Sequence, residues 1–213
     1  MQGRFKNIIG MLALAAASVG AHAATVVYDG GVPNQGVGYF ADTSYIYVET
    51  GVQFTLDGSA TFNEMRWWGG NDANQFGTDD FTMRIYAVDG GAPAGLLQAV
   101  ALGAATRTST GMLVQDFYNE QLYDQSFADI TLAAGTYFIS LSNTDGDGTW
   151  FWETSSGPSF GGFSKSEEGM WAMTFASLAF QLLDSGEVPE PGSMALLGLG
   201  FAGLVAFRRR QMP

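Results

Sequence analysis

Between residues 24 and 183 the apolar residues come in short runs, alternating or continuous, and each run is cut off by a cluster of Gly, Asp, Asn and Ser. No helical period is sustained, so the segment must fold as strands joined by turns. A first strand is expected at 25–28, closed by Asp29-Gly30-Gly31. Aromatic and β-branched runs at 45–50 and 52–56 follow, with a turn at Asp57-Gly58. In the next run, 60–68, Phe62, Met65 and Trp67 do not share one parity, and a bulge near Asn63 or Glu64 restores the alternation. Residues 81–88 alternate cleanly, with Phe81, Met83 and Ile85 on one face and Thr82, Arg84 and Tyr86 on the other. Residues 96–106 fit a helix or a strand, and the neighbours favour a strand.

Runs at 112–123 and 130–132 lead to 136–142 and 149–154, and the loop 143–148 is expected to join the last two as a hairpin. Residues 155–169 read as a loop rich in Gly and Ser, and strands at 171–174 and 178–183 close the segment. About ten short strands at regular spacing predict an all-β fold, a two-sheet antiparallel β-sandwich with jelly-roll-like rather than immunoglobulin-like topology.

Both ends of the chain lie outside this pattern. Arg4 and Lys6, an apolar stretch at 8–19 and Ala21-His22-Ala23 have the order of a secretory signal peptide cut after Ala23. The export translocon and signal peptidase are the partners this leader implies, and an uncleaved N-terminal anchor is the competing reading. The other end reads Val188-Pro189-Glu190-Pro191-Gly192-Ser193, then an apolar run bounded by Met194 and Phe207, then Arg208-Arg209-Arg210. Two prolines keep the first part extended. Residues 194–207 make about 21 Å of helix at ~1.5 Å each, short of the ~30 Å hydrocarbon core of a bilayer. Such a short transmembrane helix anchors poorly, and the three arginines keep the chain end cytoplasmic. An ordinary C-terminal amphipathic or core helix is the competing reading, against which the run has no polar face and ends in a basic cluster. The domain plan is a leader at 1–23, a β-sandwich at 24–187 and a C-terminal signal at 188–213.

The order of the last 25 or so residues resembles the PEP-CTERM sorting signal of exported bacterial proteins. That resemblance implies a Gram-negative host that makes extracellular polysaccharide, and an inner-membrane-associated precursor processed by an exosortase. It also implies a final place at the cell surface or in the extracellular matrix. Arg66-Trp67-Trp68-Gly69, the run from Asp80 to Tyr86, Leu132-Ala133-Ala134-Gly135-Thr136-Tyr137 and Trp150-Phe151-Trp152-Glu153 are similar to a recurrent β-sandwich domain of such proteins, one to which no activity attaches.

Composition narrows the chemistry. Of the nine Lys and Arg, only Arg66, Arg84, Arg107 and Lys165 lie between the two end signals, while all 21 acids but Glu190 do, so residues 24–188 carry a net charge of −16. A surface this acidic repels phosphate, which excludes nucleic acid as a partner. The chain has no cysteine, and its one histidine, His22, leaves with the leader. The exported part therefore has no Ser-His-Asp or Cys-His nucleophile and no thiolate or imidazole metal site.

Three candidate sites remain. Adjacent Trp67 and Trp68 must face opposite sides of a strand, whereas Trp150 and Trp152 share one. A carbohydrate-binding face is expected from Trp68, Trp150 or Trp152 as stacking platforms, with Arg66 and Glu153 as hydrogen-bonding partners. Core burial of the same aromatics is the competing reading. Asn143-Thr144-Asp145-Gly146-Asp147-Gly148 approximates the start of an EF-hand loop, which makes Ca²⁺ on Asn143, Asp145 and Asp147 the one cofactor to consider, with Asp72, Asp79 and Asp80 as a second place for it. A turn built of turn formers accounts for the same residues, because position twelve is Thr154 and Glu153 falls one place early. Paired carboxylates drawn from Glu64, Glu153, Glu167 and Glu168 offer glycoside hydrolysis, but nothing in the sequence sets two of them across a cleft. The expectation is a non-enzymatic exported matrix protein, with a carbohydrate-binding module and a glycan-processing enzyme as the alternatives.

Overall fold

Thirteen strands and no helix make up the described residues, which in this computed structural model are 24–43, 47–71, 79–144, 149–157, 161–166, 169–174 and 176–186. The leader with Ala21 and Ala23, and the tail from 187 onward with Val188, Pro189, Glu190, Pro191, Gly192, the run from Met194 to Phe207 and Arg208, Arg209 and Arg210, lie outside them.

The strands are β1 (Thr25–Asp29), β2 (Pro33–Phe40), β3 (Val48–Leu56), β4 (Ala60–Asn71), β5 (Phe81–Asp89), β6 (Ala92–Gly103), β7 (Thr106–Val114), β8 (Tyr118–Leu132), β9 (Gly135–Asn143), β10 (Trp150–Ser155), β11 (Gly162–Ser166), β12 (Ala172–Met173) and β13 (Phe180–Asp184). They form two antiparallel sheets, a β-sandwich. The six-stranded sheet has the order β12-β11-β3-β9-β5-β6.

In the seven-stranded sheet β4 is the axis. Along one side it pairs with β8, which pairs with β7. Along the other it takes two strands end to end: β13 sets Phe180 opposite Trp67, and β10 sets Trp152 opposite Gly69. β1 extends β13, and β2 extends β10. The expected bulge is present, as the β4–β8 register slips between Phe62 and Glu64. It turns Met65 and Trp67 to the interior alongside Phe62, so all three are buried in one cluster. The ambiguous run 96–106 is largely strand, in β6.

The sandwich interior holds Phe54, Phe62, Trp67, Phe81, Tyr123, Trp150, Trp152 and Phe180 in one continuous cluster. A second, smaller cluster of Tyr86, Phe138 and Phe163 lies on the outer face of the six-stranded sheet, with Trp171 packed on it.

Four local expectations fail for physical reasons. The hairpin between 136–142 and 149–154 does not form: β9 pairs with β3 and β5 in one sheet, and β10 pairs with β2 and β4 in the other. Every residue of β10 is buried, which an edge hairpin strand cannot provide. The run 112–123 is broken at Gln115 and Asp116, both with positive φ, where β7 turns into β8. The split at Gly51 is absent, since β3 runs through it. A Cβ there would strike the Ile139 carbonyl and the Phe138 ring, so the glycine permits close approach and does not mark a turn. Strand β11 falls in the stretch that reads as a loop, and β2 arises in a stretch without a strand signal, where Gly38 leaves the space that the Phe151 ring fills.

Candidate functional site

Of the two readings of the aromatics, core burial holds for Trp150 and Trp152, and the surface platform does not form from them. Trp150 is 1% exposed and Trp152 is fully buried. The Trp152 indole donates to the Ala179 carbonyl at 2.9 Å, and the Trp150 ring stands edge-on to Phe81 and Tyr123. Their shared parity is the expected one, but the shared face is the core, because β10 is a middle strand with sheet on both sides. A sugar ring cannot reach either. Arg66 and Trp68 do share the outer face of β4, both half-buried, and the Arg66 guanidinium is held 2.7 Å from Asp124. Glu153 is fully buried and away from solvent, so the five residues do not converge.

At the expected calcium loop, Asn143 is buried and its side chain is already used: Oδ1 accepts from the Asp80 amide at 2.9 Å, and Nδ2 donates to Asp79 Oδ1 at 3.0 Å. Asp79 also takes the Arg107 guanidinium at 2.7 Å. These bonds tie β9 to the start of β5, which explains the Asn without a metal. Asp145, Asp147 and Asp72 lie outside the described residues. Among the described residues no group of three His, Cys, Asp or Glu is placed to hold a metal.

Three glutamates are buried, Glu49 on the six-stranded sheet and Glu153 and Glu120 on the seven-stranded one, and only Glu153 was a sequence candidate. Glu49, on β3, is 7% exposed. Its Oε1 accepts from the Tyr86 hydroxyl at 2.8 Å and from the Ser140 hydroxyl, while Oε2 faces Arg84 Nη1 and Lys165 Nζ, each at 3.7 Å. Lys165 sits opposite Glu49 in the β11–β3 register and Arg84 opposite Ser140 in the β5–β9 register, while Ser140 itself faces Gly51, so Glu49 reaches Ser140 and Arg84 on the diagonal. Lys165 also lies 5.1 Å over the Trp171 ring. Burial, followed by the Glu49 carboxylate it bonds, pushes the Tyr86 phenol well above its ordinary range. With both oxygens occupied, Glu49 works as a clamp between β3, β5, β9 and β11. The sequence signal was slight: an acid inside an apolar strand, in a segment with four cations.

Glu153, on β10, has no such company. Its Oε1 accepts the Gln35 amide of β2 at 2.8 Å, and its other neighbour is Glu120 of β8, 2% exposed. One oxygen of each carboxyl, Glu153 Oε2 and Glu120 Oε2, is buried with no hydrogen-bond partner. Burial first, then the neighbouring Glu120 carboxyl, push the Glu153 carboxyl up to about 8, against a smaller lowering by the Gln35 amide. The structure thus does pair one sequence-candidate carboxylate with a second, Glu120. Both carboxyls are enclosed, Glu120 2% exposed and Glu153 fully buried. Glu64 is half-buried on β4, and Glu167 and Glu168 lie outside the described residues. The sign in the sequence was an acid directly after Trp150-Phe151-Trp152, which places it in a buried strand.

The tail is identified by comparison. Residues 187–210 match the PEP-CTERM protein-sorting motif, which spans Val188, Pro189, Glu190, Pro191, Gly192, the apolar run and Arg208, Arg209 and Arg210. No curated protein and no solved structure matches the chain. The chain therefore carries a sorting signal for which exosortase is the processing partner, and it is an extracellular protein made as a membrane-anchored precursor.

Proposed function

We propose that this is a non-enzymatic display protein: a β-sandwich exported through its leader, handed by its tail to an exosortase, and left at the cell surface or in the exopolysaccharide matrix. The observation that carries the reading is the sorting motif at 187–210, which begins three residues after β13 ends at Asp184. The compact unit Ala24–Asp184 is then the part delivered. Display in place of turnover is supported by how the polar side chains are used. Arg66, Asp79, Asn143 and Glu49 are spent on partners within the sandwich, and Trp150 and Trp152 on its core.

The test is the mass and location of the protein in its native host, with the whole chain and with 188–213 removed. Loss of residues near the Pro189-Glu190-Pro191 segment and release from the inner membrane are expected for the whole chain. Without the tail, the protein should be exported but not retained at the surface. Full-length chain remaining in the inner membrane overturns the proposal.

A further inference from the structure

The seam between β2, β10 and the β7–β8 turn combines three observations. Two carboxyls are buried side by side with one unpartnered oxygen each, on Glu153 and Glu120. The backbone closing over Glu153 is that of Gln35, whose amide donates to Glu153 Oε1 and whose carbonyl accepts the Gln115 amide at 2.9 Å. Gln35, Gln115 and Asp116 all have positive φ, at 53°, 54° and 58°, a region costly for residues other than glycine. Asn34 and Val37 on either side of Gln35 are bonded to Ser155 and Thr154 of β10, so within this strained cover it is the Gln35 amide that depends on the Glu153 carboxyl.

Among the described residues no cation is paired with either carboxyl: Arg107 of the neighbouring β7 is held by Asp79, and Tyr118 of β8 packs on Phe151. β2 brings one ionisable side chain, Tyr39, whose hydroxyl donates to the Thr174 carbonyl at 3.2 Å. β4 brings Gly69, Gly70 and Asn71 beside β10, and its Arg66 is paired with Asp124 of β8. The β7–β8 turn adds Asp116, which is exposed. Glu120 and the Gln35 amide are the neighbours that act on the Glu153 carboxyl, and two facing carboxylate oxygens have no donor between them unless one carries a proton.

We infer that Glu153 and Glu120 form a proton-holding latch: one shared proton keeps Gln35 and the Gln115 turn closed on the seven-stranded sheet, and its loss to water releases them. Two ionised carboxylates in an enclosed, cation-free site repel each other and lack solvation. An exported protein meets an unbuffered medium, so the latch would report external pH.

The sign of the effect is set by the carboxyl. Folded chain keeps a proton that unfolded chain gives up above pH 4.5, so stability is full below that value, falls as pH rises toward about 8, and levels beyond it. The experiment uses the full chain in mild detergent, with melting followed by tryptophan fluorescence from pH 5 to 9 for wild type, Glu153→Gln and Glu120→Gln. Either amide supplies the donor that the proton supplied. The gap between wild type and variant should therefore widen with pH, and the variants should melt about 5 °C higher at pH 8.5. Amide exchange at Gln35 and Gln115, corrected for intrinsic rates, should quicken between pH 5.5 and 8.5 in wild type alone. A gap that stays constant with pH in whichever variant folds overturns the latch. So does a wild-type melting temperature that Ca²⁺ raises at pH 8.5, which would assign the pair to a metal.

Discussion

Glu49 and Glu153 are the same residue type, buried to nearly the same degree on the outer faces of two sheets in one sandwich, and their surroundings are opposite. Around Glu49 the six-stranded sheet gathers two hydroxyl donors and two of the four cations between the end signals. Around Glu153 the seven-stranded sheet offers one backbone amide and a second acid. Burial alone therefore does not decide what a carboxylate does. The count of donors and cations that the strand register delivers decides it: with them the ion is a clamp, and without them the group holds its proton.

The comparison is broken or sharpened by four substitutions. Glu49→Ala should cost most, about 3 kcal/mol, because it strands Arg84 and Lys165, each a little over a quarter exposed, and removes the acceptor of Tyr86 and Ser140. At this domain size the melting temperature should drop by about 6–12 °C in calorimetry. A loss below ~1 kcal/mol would mean that the clamp is ornamental. Glu153→Gln should act in the opposite direction, raising stability at pH 8.5 by about 1.5 kcal/mol and leaving it almost unchanged at pH 5.

Tyr86→Phe deletes one donor to Glu49 and keeps Ser140, so about 1 kcal/mol should be lost in urea unfolding with no change in the slope. A much larger loss would show that the hydroxyl, and not the pair of cations, sustains the buried charge. Lys165→Met should be the mildest, within about 0.5 kcal/mol, since the ammonium is partly solvated, stands 3.7 Å from Glu49, and Arg84 remains. Added 0.5 M salt should erase even that difference.

Much of the secondary structure was open to reading from the chain. Alternation at Phe81, Met83 and Ile85 placed them inside, and the parity break after Phe62 placed the bulge, because both depend only on the two-residue repeat of a strand. The opposite faces of Trp67 and Trp68 followed in the same way. Glycine was the unreliable mark: at Gly38 and Gly51 it serves contacts with rings from other strands, which no local pattern encodes. The candidate face failed for a related reason. Parity says that Trp150 and Trp152 point together, but whether that side is solvent or core depends on which sheet β10 joins, and sequence neighbours 136–142 gave the wrong partner.

The sequence by itself determined the class of the fold, the absence of histidine and cysteine chemistry beyond the leader, and the sorting signal at 187–210, since composition, two-residue periodicity and a contiguous motif are all local properties. Only the tertiary structure decided that Glu120 meets Glu153 across a sequence gap of 33, and that Lys165, Ser140 and Arg84 gather round Glu49. Pairing between distant strands fixes those neighbours, and an ionisable group takes its character from its neighbours.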